Sequence, residues 1–369
     1  MTGSRRRPAA NGALPCQLIE ELIRSQRIIC SNPVPVGNIQ PASLDLRLGR
    51  KGWRVEAAFL PRQGEPVSDL LLNNALENLD LSCPVVLQEG CTYVVEIEER
   101  FNLPNSVHAY ANNKSTTGRM NVWTRILADG VSRFDKIPPG YCGKIYAMIT
   151  PRSWSIKVCE GNTLNQARLI CGDNHLLDFE LEMLHQETGL VYDGEGQREE
   201  ALIDNGLLLT IDLQQDIVGY KAIPCSEPVD LCTTTPQKGS HYFEPIRAKN
   251  GEVLLKRGEF YILSTKEFLR VPPDLAVEMV AYDIHSGEYR SHYAGFFDPG
   301  FGYGENGHLK GTPAVLELDV HEDVLFRHAQ PICKMAFEYL LKKPEKIYGS
   351  GLGSHYQQQR GPQLGRHFC

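Results

Sequence analysis

Short runs of alternating apolar and polar residues recur along the chain, and proline or glycine turns separate them. Clear examples are TYVVEIE (92–98), KIYAMIT (144–150), FYILST (260–265) and VLELDV (315–320). A period of two places successive side chains on opposite faces of a strand, and the Pro and Gly clusters between the runs mark turns. The pattern predicts a mainly β fold. Only CQLIEELIRSQRI (16–28) has apolar residues at helical spacing, and it predicts one helix near the start.

The chain also contains an internal repeat. Residues of the same type recur at an offset of 168 in the pairs Gly90 and Gly258, Tyr93 and Tyr261, Glu99 and Glu267, and Pro104 and Pro272. Further on, KSTTGR (114–119) aligns with HSGEYR (285–290), and KIYAMI with PAVLEL. The repeat predicts two tandem copies of one domain. We expect a mobile tail at 1–15, a first domain at 16–190, a second at 191–343 and a C-terminal segment at 344–369.

Composition narrows the class of protein. The 369 residues suit two domains, and 42% hydrophobic with 22% charged residues is typical of a soluble globular chain. A net charge of −7 disfavours nucleic-acid binding through the whole surface. No stretch reaches the roughly 20 apolar residues of a membrane helix, and the basic start lacks the apolar core of a secretory signal. Eleven cysteines without a C-x-x-C pair favour the reducing cytoplasm.

One carboxylate in this pattern needs explanation. In PAVLELDV (313–320), alternation places Glu317 on the face opposite to Leu316 and Leu318. On its own, such a residue is most often a solvated surface charge. The repeat supplies a comparison, because Met148 occupies the corresponding position of the first copy. A methionine there indicates that this face of the strand is covered, and it also means that the first copy has no acid at this point.

Four segments together carry a resemblance to a known family. They are IQPASLDLRLGRKG (39–52), KSTTGR (114–119), PAVLEL (313–318) and the tail GSGLGSHYQQQRGP (349–362). The chain resembles the dCTP deaminases, which have the trimeric dUTPase fold. The resemblance implies two tandem dUTPase-like, distorted β-barrel (jelly-roll-like) domains with a few short helices.

The resemblance also implies roles for individual residues. Glu317 would be the general base and acid, and Ser115 and Arg119 would hold the attacking water. Lys114 and Thr116 would contact the triphosphate. Other residues would bind elsewhere on the nucleotide: Arg133, Ala294, Asp298, Ser286, Arg290, Tyr348, Tyr356, Gln359 and Arg360. Among these, Asp298 would accept from the deoxyribose 3′-hydroxyl, Ala294 would lie near the cytosine ring, and the tyrosines, Gln359 and Arg360 would close as a lid.

Departures from the family pattern predict a composite site. The first copy keeps KSTTGR but has Met148, whereas the second keeps Glu317 but has HSGEYR (285–290) in place of the phosphate-binding motif. The favoured arrangement joins KSTTGR of a first copy to Glu317 of a second. The alternative joins Ser286 and Arg290 of one chain to Glu317 of another. His355 replaces the lysine of the family's lid, which would weaken one phosphate contact or make it pH-dependent.

Deamination at cytosine C4 needs a proton carrier and a positioned water. A partly buried carboxyl has a pKa closer to neutrality and can serve as both base and acid. The sequence lacks the H-x-E and P-C-x-x-C motifs of zinc deaminases, so we expect no zinc, and Mg²⁺ bound through the triphosphate. The expected activity is deamination of dCTP to dUTP and ammonia in pyrimidine deoxynucleotide synthesis, by a homo-oligomer. A dUTP diphosphatase, a bifunctional enzyme and an inactive nucleotide sensor remain alternatives.

Overall fold

The computed structural model describes residues 11–281, 289–291, 295–350 and 356–369. Strands dominate these residues, and the prediction of a mainly β fold is confirmed. The α-helices are α1 (Cys16–Arg24), α2 (Val67–Asn74), α3 (Ser115–Gly118) and α4 (Asp178–Thr188). Two 3₁₀ turns lie at Val36–Asn38 and Gly239–His241. The helix predicted near the start is α1.

The first half of the chain is built on one large sheet. Its strand order is β10-β8-β14-β3-β6-β12-β9, with β1 on β14 and β4 on β3, and it curls into a nearly closed barrel. The strands of this half are β1 (Gly12–Ala13), β2 (Ile28–Ile29), β3 (Leu44–Val55), β4 (Ala75–Asp80), β5 (Val85–Leu87), β6 (Thr92–Ile97), β7 (Arg100–Asn102), β8 (Val107–Asn113), β9 (Val122–Ala128), β10 (Lys136–Ile137), β11 (Cys142–Gly143), β12 (Ile145–Pro151), β13 (Ile156–Val158) and β14 (Thr163–Cys171).

The second half repeats this strand arrangement, but its strands are divided between two main sheets. Their orders are β19-β17-β21-β25-β23, with β15 on β21, and β16-β27-β22-β24. The strands are β15 (Val191–Tyr192), β16 (Leu207–Thr210), β17 (Gly219–Ala222), β18 (Val229–Asp230), β19 (Phe243–Ile246), β20 (Glu252–Leu255), β21 (Phe260–Leu269), β22 (Leu275–Ala281), β23 (Tyr289–Ser291), β24 (Phe296–Phe297), β25 (Thr312–Val320), β26 (Val324–Arg327) and β27 (Pro331–Tyr339).

Strand register supports the internal repeat. In the first half, Met148 of β12 lies opposite Val94 of β6, and in the second half Glu317 of β25 lies opposite Ile262 of β21. Val94 and Ile262 are 168 residues apart, which is the offset of the sequence repeat. Met148 and Glu317 therefore occupy corresponding places in the two halves.

The face of β12 that carries Met148 is covered by apolar side chains of its own half. Met148 is 3% exposed, and Val67 and Leu71 of α2 belong to the same buried cluster. Other members of this cluster are Val55, Val94, Leu127 and Tyr146. The segment that contains α2 thus covers the place in the first half that corresponds to that of Glu317 in the second.

The two halves share a buried polar contact. Arg168 of β14 forms an ion pair with Glu338 of β27, and both side chains are fully buried. Glu338 also accepts from the Tyr110 hydroxyl at 2.9 Å and from the Asn174 amide at 3.1 Å. A buried charge with a charged partner and two further donors is well satisfied, so this contact fixes how the halves fit together.

The sequence pattern located α1 but not α2, α3 or α4. No apolar periodicity predicted a helix after β14, but α4 lies there, with the Glu180 carboxylate accepting from the Leu177 amide at 2.9 Å. Only Leu181 of α4 is buried, while Phe179 and Met183 are more than half exposed, so the helix lacks a clear apolar stripe. Leu181 packs in the core of the second half. The domain boundary at 190/191 stays a prediction.

Candidate active site

KSTTGR (114–119) forms a single helical turn between β8 and β9. The Lys114 carbonyl accepts from the amides of Thr117 and Gly118 at 2.8 and 3.0 Å, and the Arg119 amide donates to the Ser115 carbonyl at 3.0 Å. The Thr117 hydroxyl donates to the Leu164 carbonyl at 2.8 Å and ties the turn to β14. The turn therefore holds Ser115 and Arg119 at the junction with the second half.

Arg119 meets Glu317 across that junction. The Arg119 Nε atom lies 3.4 Å from Glu317 Oε1, with side chains 3% and 1% exposed. Within the residues that the structure describes, neither Arg119 Nε nor Glu317 Oε2 has a hydrogen-bond partner, so the contact is an ion pair without hydrogen-bond geometry. The favoured composite arrangement is thus present within one chain. Ser286 and Ala294 lie outside the described residues, as does the side chain of Arg290.

The environment of Glu317 favours its neutral form. Burial raises the pKa of the Glu317 carboxyl from 4.5 to about 8, and the positive charge of Arg119 opposes the rise. Removing a carboxylate from water penalises its charged form, whereas a nearby cation stabilises it. A carboxyl whose pKa lies close to neutral pH can both accept and return a proton, which is the property expected of a general base and acid.

The C-terminal segment contacts Arg119. The Arg119 guanidinium lies 3.8 Å from the centre of the Tyr356 ring, and it donates to the Gln359 side chain at 3.3 Å and to the Gln363 carbonyl at 2.9 Å. Gln359 also donates to the carbonyl of Pro313, on the strand that carries Glu317, at 2.7 Å. Gln359 therefore joins the arginine of one half to the strand of the other. Of the predicted lid, Tyr356 and Gln359 are buried here, and Tyr348 is half-buried.

A cavity of about 280 Å³ adjoins this pair. Its lining combines aromatic with polar and charged side chains, which suits a base and sugar joined to phosphates. Glu317 does not line the cavity, but Arg119, which contacts it, does. The lining residues are Gly37, Asn38, Gln40, Asp45, Lys114, Ser115, Thr116, Arg119, Thr163, Gln166, Phe296, Phe297, Asp298, Phe301, Val315, Tyr348, Tyr356, Gln359 and Arg366.

Lys114 is held by two partners at the polar end of the cavity. Its ammonium contacts the Asp45 carboxylate and donates to the Thr163 hydroxyl at 2.9 Å. Burial raises the pKa of the Asp45 carboxyl, while the positive charges of Lys114 and Arg366 oppose the rise. The second oxygen of Asp45 has no hydrogen-bond partner in the part of the chain that the structure describes. This end of the cavity thus combines cations with an unsatisfied acceptor.

Asp298 lies in the cavity with a free acceptor atom. It is 5% exposed, and its Oδ1 has no hydrogen-bond partner. Burial raises the pKa of Asp298 to about 6, with Arg168 opposing the rise. An unsatisfied buried oxygen is costly, so a ligand hydroxyl donating to Asp298 would relieve that cost. Its predicted contact with a sugar hydroxyl stays a prediction.

Ser115 packs against the backbone of Gly295. A Cβ atom built on Gly295 would lie 2.7 Å from the Ser115 hydroxyl, and Gly295 has a φ of +108°. Both the close approach and the positive φ favour glycine at this position. The small residue therefore lets the turn of the first half approach the second half closely enough for Arg119 to reach Glu317.

Two predicted binding residues lie away from the cavity. Arg133, in the loop between β9 and β10, and Arg360, in the C-terminal segment, are exposed and are not part of its lining. His355 lies outside the described residues. Sequence reasoning missed Asp45 and Arg366. A signal for Asp45 was available, because LDLRLG places Asp45 and Arg47 among apolar residues in the six buried positions that begin β3, whereas nothing local marked Arg366.

A barrel-like β fold whose site joins the two halves through a buried carboxylate and an arginine defines a hydrolase of the dUTPase-like class. The chain belongs to the dCTP deaminase family. Residues 10–173 match the family model of the 2′-deoxycytidine 5′-triphosphate deaminase N-terminal domain, and 177–368 match that of the C-terminal domain. Among the described residues, no helix is long and apolar enough to cross a membrane.

Several known dCTP deaminases are similar to this chain. A solved 2′-deoxycytidine 5′-triphosphate deaminase from Agrobacterium tumefaciens is 38% identical, with a TM-score of 0.87 over 93% of this chain and 100% of that one. A dUMP-forming dCTP deaminase of Methanothermobacter thermautotrophicus is 26% identical over 42% of this chain and 77% of the relative. One of Bifidobacterium longum is 34% identical over 31% of this chain and 58% of the relative.

Proposed function

We propose that the chain deaminates dCTP to dUTP and ammonia in pyrimidine deoxynucleotide metabolism, with Glu317 as the general base and acid. The observation that carries the proposal is the buried contact between Glu317 of the second half and Arg119 of the first, beside a cavity of nucleotide size. The carboxyl has a pKa of about 8 because it is buried. It is therefore able to exchange a proton near neutral pH.

In the proposed reaction one carboxyl transfers every proton. Glu317 takes a proton from water as the water oxygen bonds to C4 of cytosine, and it passes that proton to ring N3. The hydroxyl now on C4 then gives its proton to the same carboxyl, which passes it to the exocyclic nitrogen. The C4–N bond breaks as the C4 carbonyl forms, and ammonia leaves. Arg119 and Ser115 orient the water, and Arg119 stabilises the carboxylate form of Glu317. The scheme uses fixed protein groups rather than zinc.

The triphosphate belongs, in this proposal, at the polar end of the cavity. Lys114 and Thr116 supply positive charge and a hydroxyl there, and Asp298 accepts from the 3′-hydroxyl. Mg²⁺ would enter with the triphosphate and neutralise part of its charge. The Asp45 oxygen that lacks a hydrogen-bond partner fits a role as acceptor for water of the hydrated ion. Ser286, Arg290, Ala294, Arg133 and Arg360 stay predicted contacts.

Product analysis tests the activity. Purified protein is incubated with dCTP and Mg²⁺, and nucleotides and ammonia are quantified. We expect dUTP and ammonia in equal amounts. Formation of dUMP and pyrophosphate from dCTP would show a second, diphosphatase step, as the names of the dUMP-forming relatives describe for those proteins. Hydrolysis of dUTP without any deamination of dCTP would overturn the proposal.

Substitution of the carboxylate tests the assignment of Glu317. Glu317→Gln should lower kcat by at least about 100-fold, because amide cannot transfer the proton, while dCTP binding remains. Glu252→Gln makes the same chemical change at an exposed position of β20. It serves as the matched control and should keep full activity. Tight dCTP binding without turnover in the unaltered protein would instead support a nucleotide sensor.

Two further proposals concern the oligomeric state of the protein and its cellular compartment. The resemblance implies a homo-oligomer, but Arg119, Glu317 and the C-terminal segment that contacts them come from one chain. We therefore propose that the site is complete within one chain and does not need an oligomer. Sedimentation would give the mass of any assembly. The cytoplasm is the proposed compartment, because all eleven cysteines are unpaired thiols, as a reducing environment favours.

A further inference from the structure

The chain continues for seven residues beyond Pro362, and this terminal arm (363–369) returns to the cavity. Arg366 of the arm lines the same cavity as Asp45, Lys114 and Thr163. Its positive charge acts on the Asp45 carboxyl together with that of Lys114. The arm thus brings an arginine to the polar end of the cavity, although no motif in the sequence marked it.

An aromatic pocket holds the end of the terminal arm. Phe368 is 8% exposed, and its ring centre lies 5.2 Å from that of Tyr242, 5.3 Å from that of Phe243 and 6.3 Å from that of Trp154. Ring contacts of this kind add to the stabilisation from burial itself. Phe368 therefore anchors the arm two residues beyond Arg366.

Main-chain hydrogen bonds reinforce the anchor. The Gln237 amide donates to the His367 carbonyl at 2.7 Å, the Cys369 amide donates to the Gln237 carbonyl at 2.8 Å, and the Gly239 amide donates to the Cys369 carbonyl at 2.9 Å. Three backbone contacts around Arg366 and Phe368 are more than a loose terminus would make. The position of Arg366 along the cavity is therefore defined by the fold.

The near end of the arm is fixed to the active-site turn. The Arg366 amide donates to the Tyr356 hydroxyl at 3.3 Å, and the Gln363 carbonyl accepts from Arg119 at 2.9 Å. Gly365 is buried, and a Cβ atom built on it would lie 3.5 Å from Arg119 Cβ and 3.7 Å from the Thr116 carbonyl. Arg366 is thus carried on backbone that touches the KSTTGR turn.

The negative charge of a nucleoside triphosphate explains why a further cation at the cavity favours its binding. Lys114 is paired with Asp45, and Arg119 is paired with Glu317. A nucleoside triphosphate brings several negative charges, and Arg366 is a further cation beside Lys114 and Arg119 in the lining of the cavity. Arginine also suits phosphate, since its planar guanidinium donates two parallel hydrogen bonds. Arg366 adds this chemistry at the exposed mouth of the cavity.

We propose that Arg366 binds the polyphosphate of the nucleotide and makes the site prefer a triphosphate over a monophosphate. The terminal arm acts as its support, and Phe368 is a positioning residue. The proposal rests on the proposed function at this site. It does not depend on turnover, because its effect is on nucleotide binding.

The test measures binding in the Glu317→Gln background, so that substrate is not consumed. Calorimetry gives the Kd of dCTP and of dCMP with and without Arg366→Gln. We expect dCTP binding to weaken by roughly tenfold to hundredfold, the usual range for a lost charge-assisted contact, and dCMP binding to change by less than about threefold. Equal weakening of both nucleotides, or no weakening of either, would overturn the proposal.

Three further variants separate phosphate binding from other causes. Arg366→Lys should restore part of the dCTP affinity, because it keeps the charge but not the paired geometry. Arg327→Gln removes an exposed arginine from β26 and should leave both affinities unchanged. Phe368→Ala should reproduce the selective loss for dCTP, whereas Phe368→Leu should lessen it; an unchanged dCTP affinity in Phe368→Ala would refute the positioning role.

Failure of this proposal is distinct from failure of the proposed function. Absence of ammonia release from dCTP by the unaltered protein would refute the deaminase activity. An unchanged ratio of dCTP to dCMP affinity after Arg366→Gln would refute only the role of Arg366. Both measurements use the full chain, and Arg366 is an exposed side chain whose replacement leaves the core intact.

Discussion

The guanidinium of Arg119 lies 3.4 Å from the carboxylate of Glu317, although the two residues belong to different halves of the chain. Each half lacks what the other supplies, since the first has Met148 in place of the carboxylate. Their contact therefore couples the protonation of one half to a cation on the other. The predictions below follow from that coupling and from the packing around it.

The rate should depend on the ionisation of Glu317. A general base must be deprotonated to act, and the pKa of Glu317 is about 8. We therefore expect kcat/KM for dCTP to rise with pH and to level off near pH 8. Arg119→Gln removes the charge that favours the carboxylate, so the residual activity should level off at higher pH. A profile that is already flat from pH 6 upwards would contradict this role.

Stability should also follow the proton on Glu317. Its pKa is raised in the folded state, so the contribution to the free energy of unfolding is complete below pH 4.5 and is lost as pH rises through about 8. The loss is on the order of 1 kcal/mol per pH unit within that window. Glu317→Gln stays neutral, so its Tm should gain on the unaltered protein between pH 5.5 and 8.

Thermal unfolding at several pH values measures this difference. Glu252→Gln, which is exposed, should show no such trend relative to the unaltered protein. A Tm difference between Glu317→Gln and the unaltered protein that stays constant from pH 5.5 to 8 would show that Glu317 is not held protonated by burial.

Close packing at Gly295 should matter for activity. In Gly295→Ala the new methyl group would lie 2.7 Å from the Ser115 hydroxyl, so that hydroxyl must move, and the φ of +108° also strains an alanine. We expect kcat/KM to fall by at least about tenfold, because displacement of a positioning group by an ångström is costly. Gly258→Ala is the matched control, with a φ of +80° but no atom within 4 Å of its Cβ. It should lower Tm and leave kcat/KM nearly unchanged.

The first half should not provide a second site. Met148 is buried among apolar side chains, so Met148→Glu would place a carboxyl there without a partner. We expect a loss of about 3 kcal/mol or more in the free energy of unfolding and no gain in activity. Met148→Leu should cost less than about 1.5 kcal/mol. Calorimetry should find one dCTP per chain, and two equivalent sites would refute this.

The chemistry of the site could be inferred from sequence better than its surroundings could. The repeat aligned Met148 with Glu317. The first copy lacks the carboxylate and the second lacks the phosphate-binding motif, so KSTTGR of the first was predicted to face Glu317 of the second. The position of the terminal arm (363–369) could not be inferred, because it depends on distant contacts such as Phe368 with Trp154. Helix α4 was missed for a related reason, since only Leu181 on it is buried.

The ion pair between Arg168 and Glu338 has a consequence for how such a chain can evolve. By strand register and the offset of 168, Ile170 takes the place of Glu338 in the first half, and Ala336 that of Arg168 in the second. Two first halves joined in this way would bury an arginine without its acid, and two second halves a glutamate without its base. The copies are no longer interchangeable. Separation of the two halves into two chains would therefore yield products that each depend on the other to satisfy this contact.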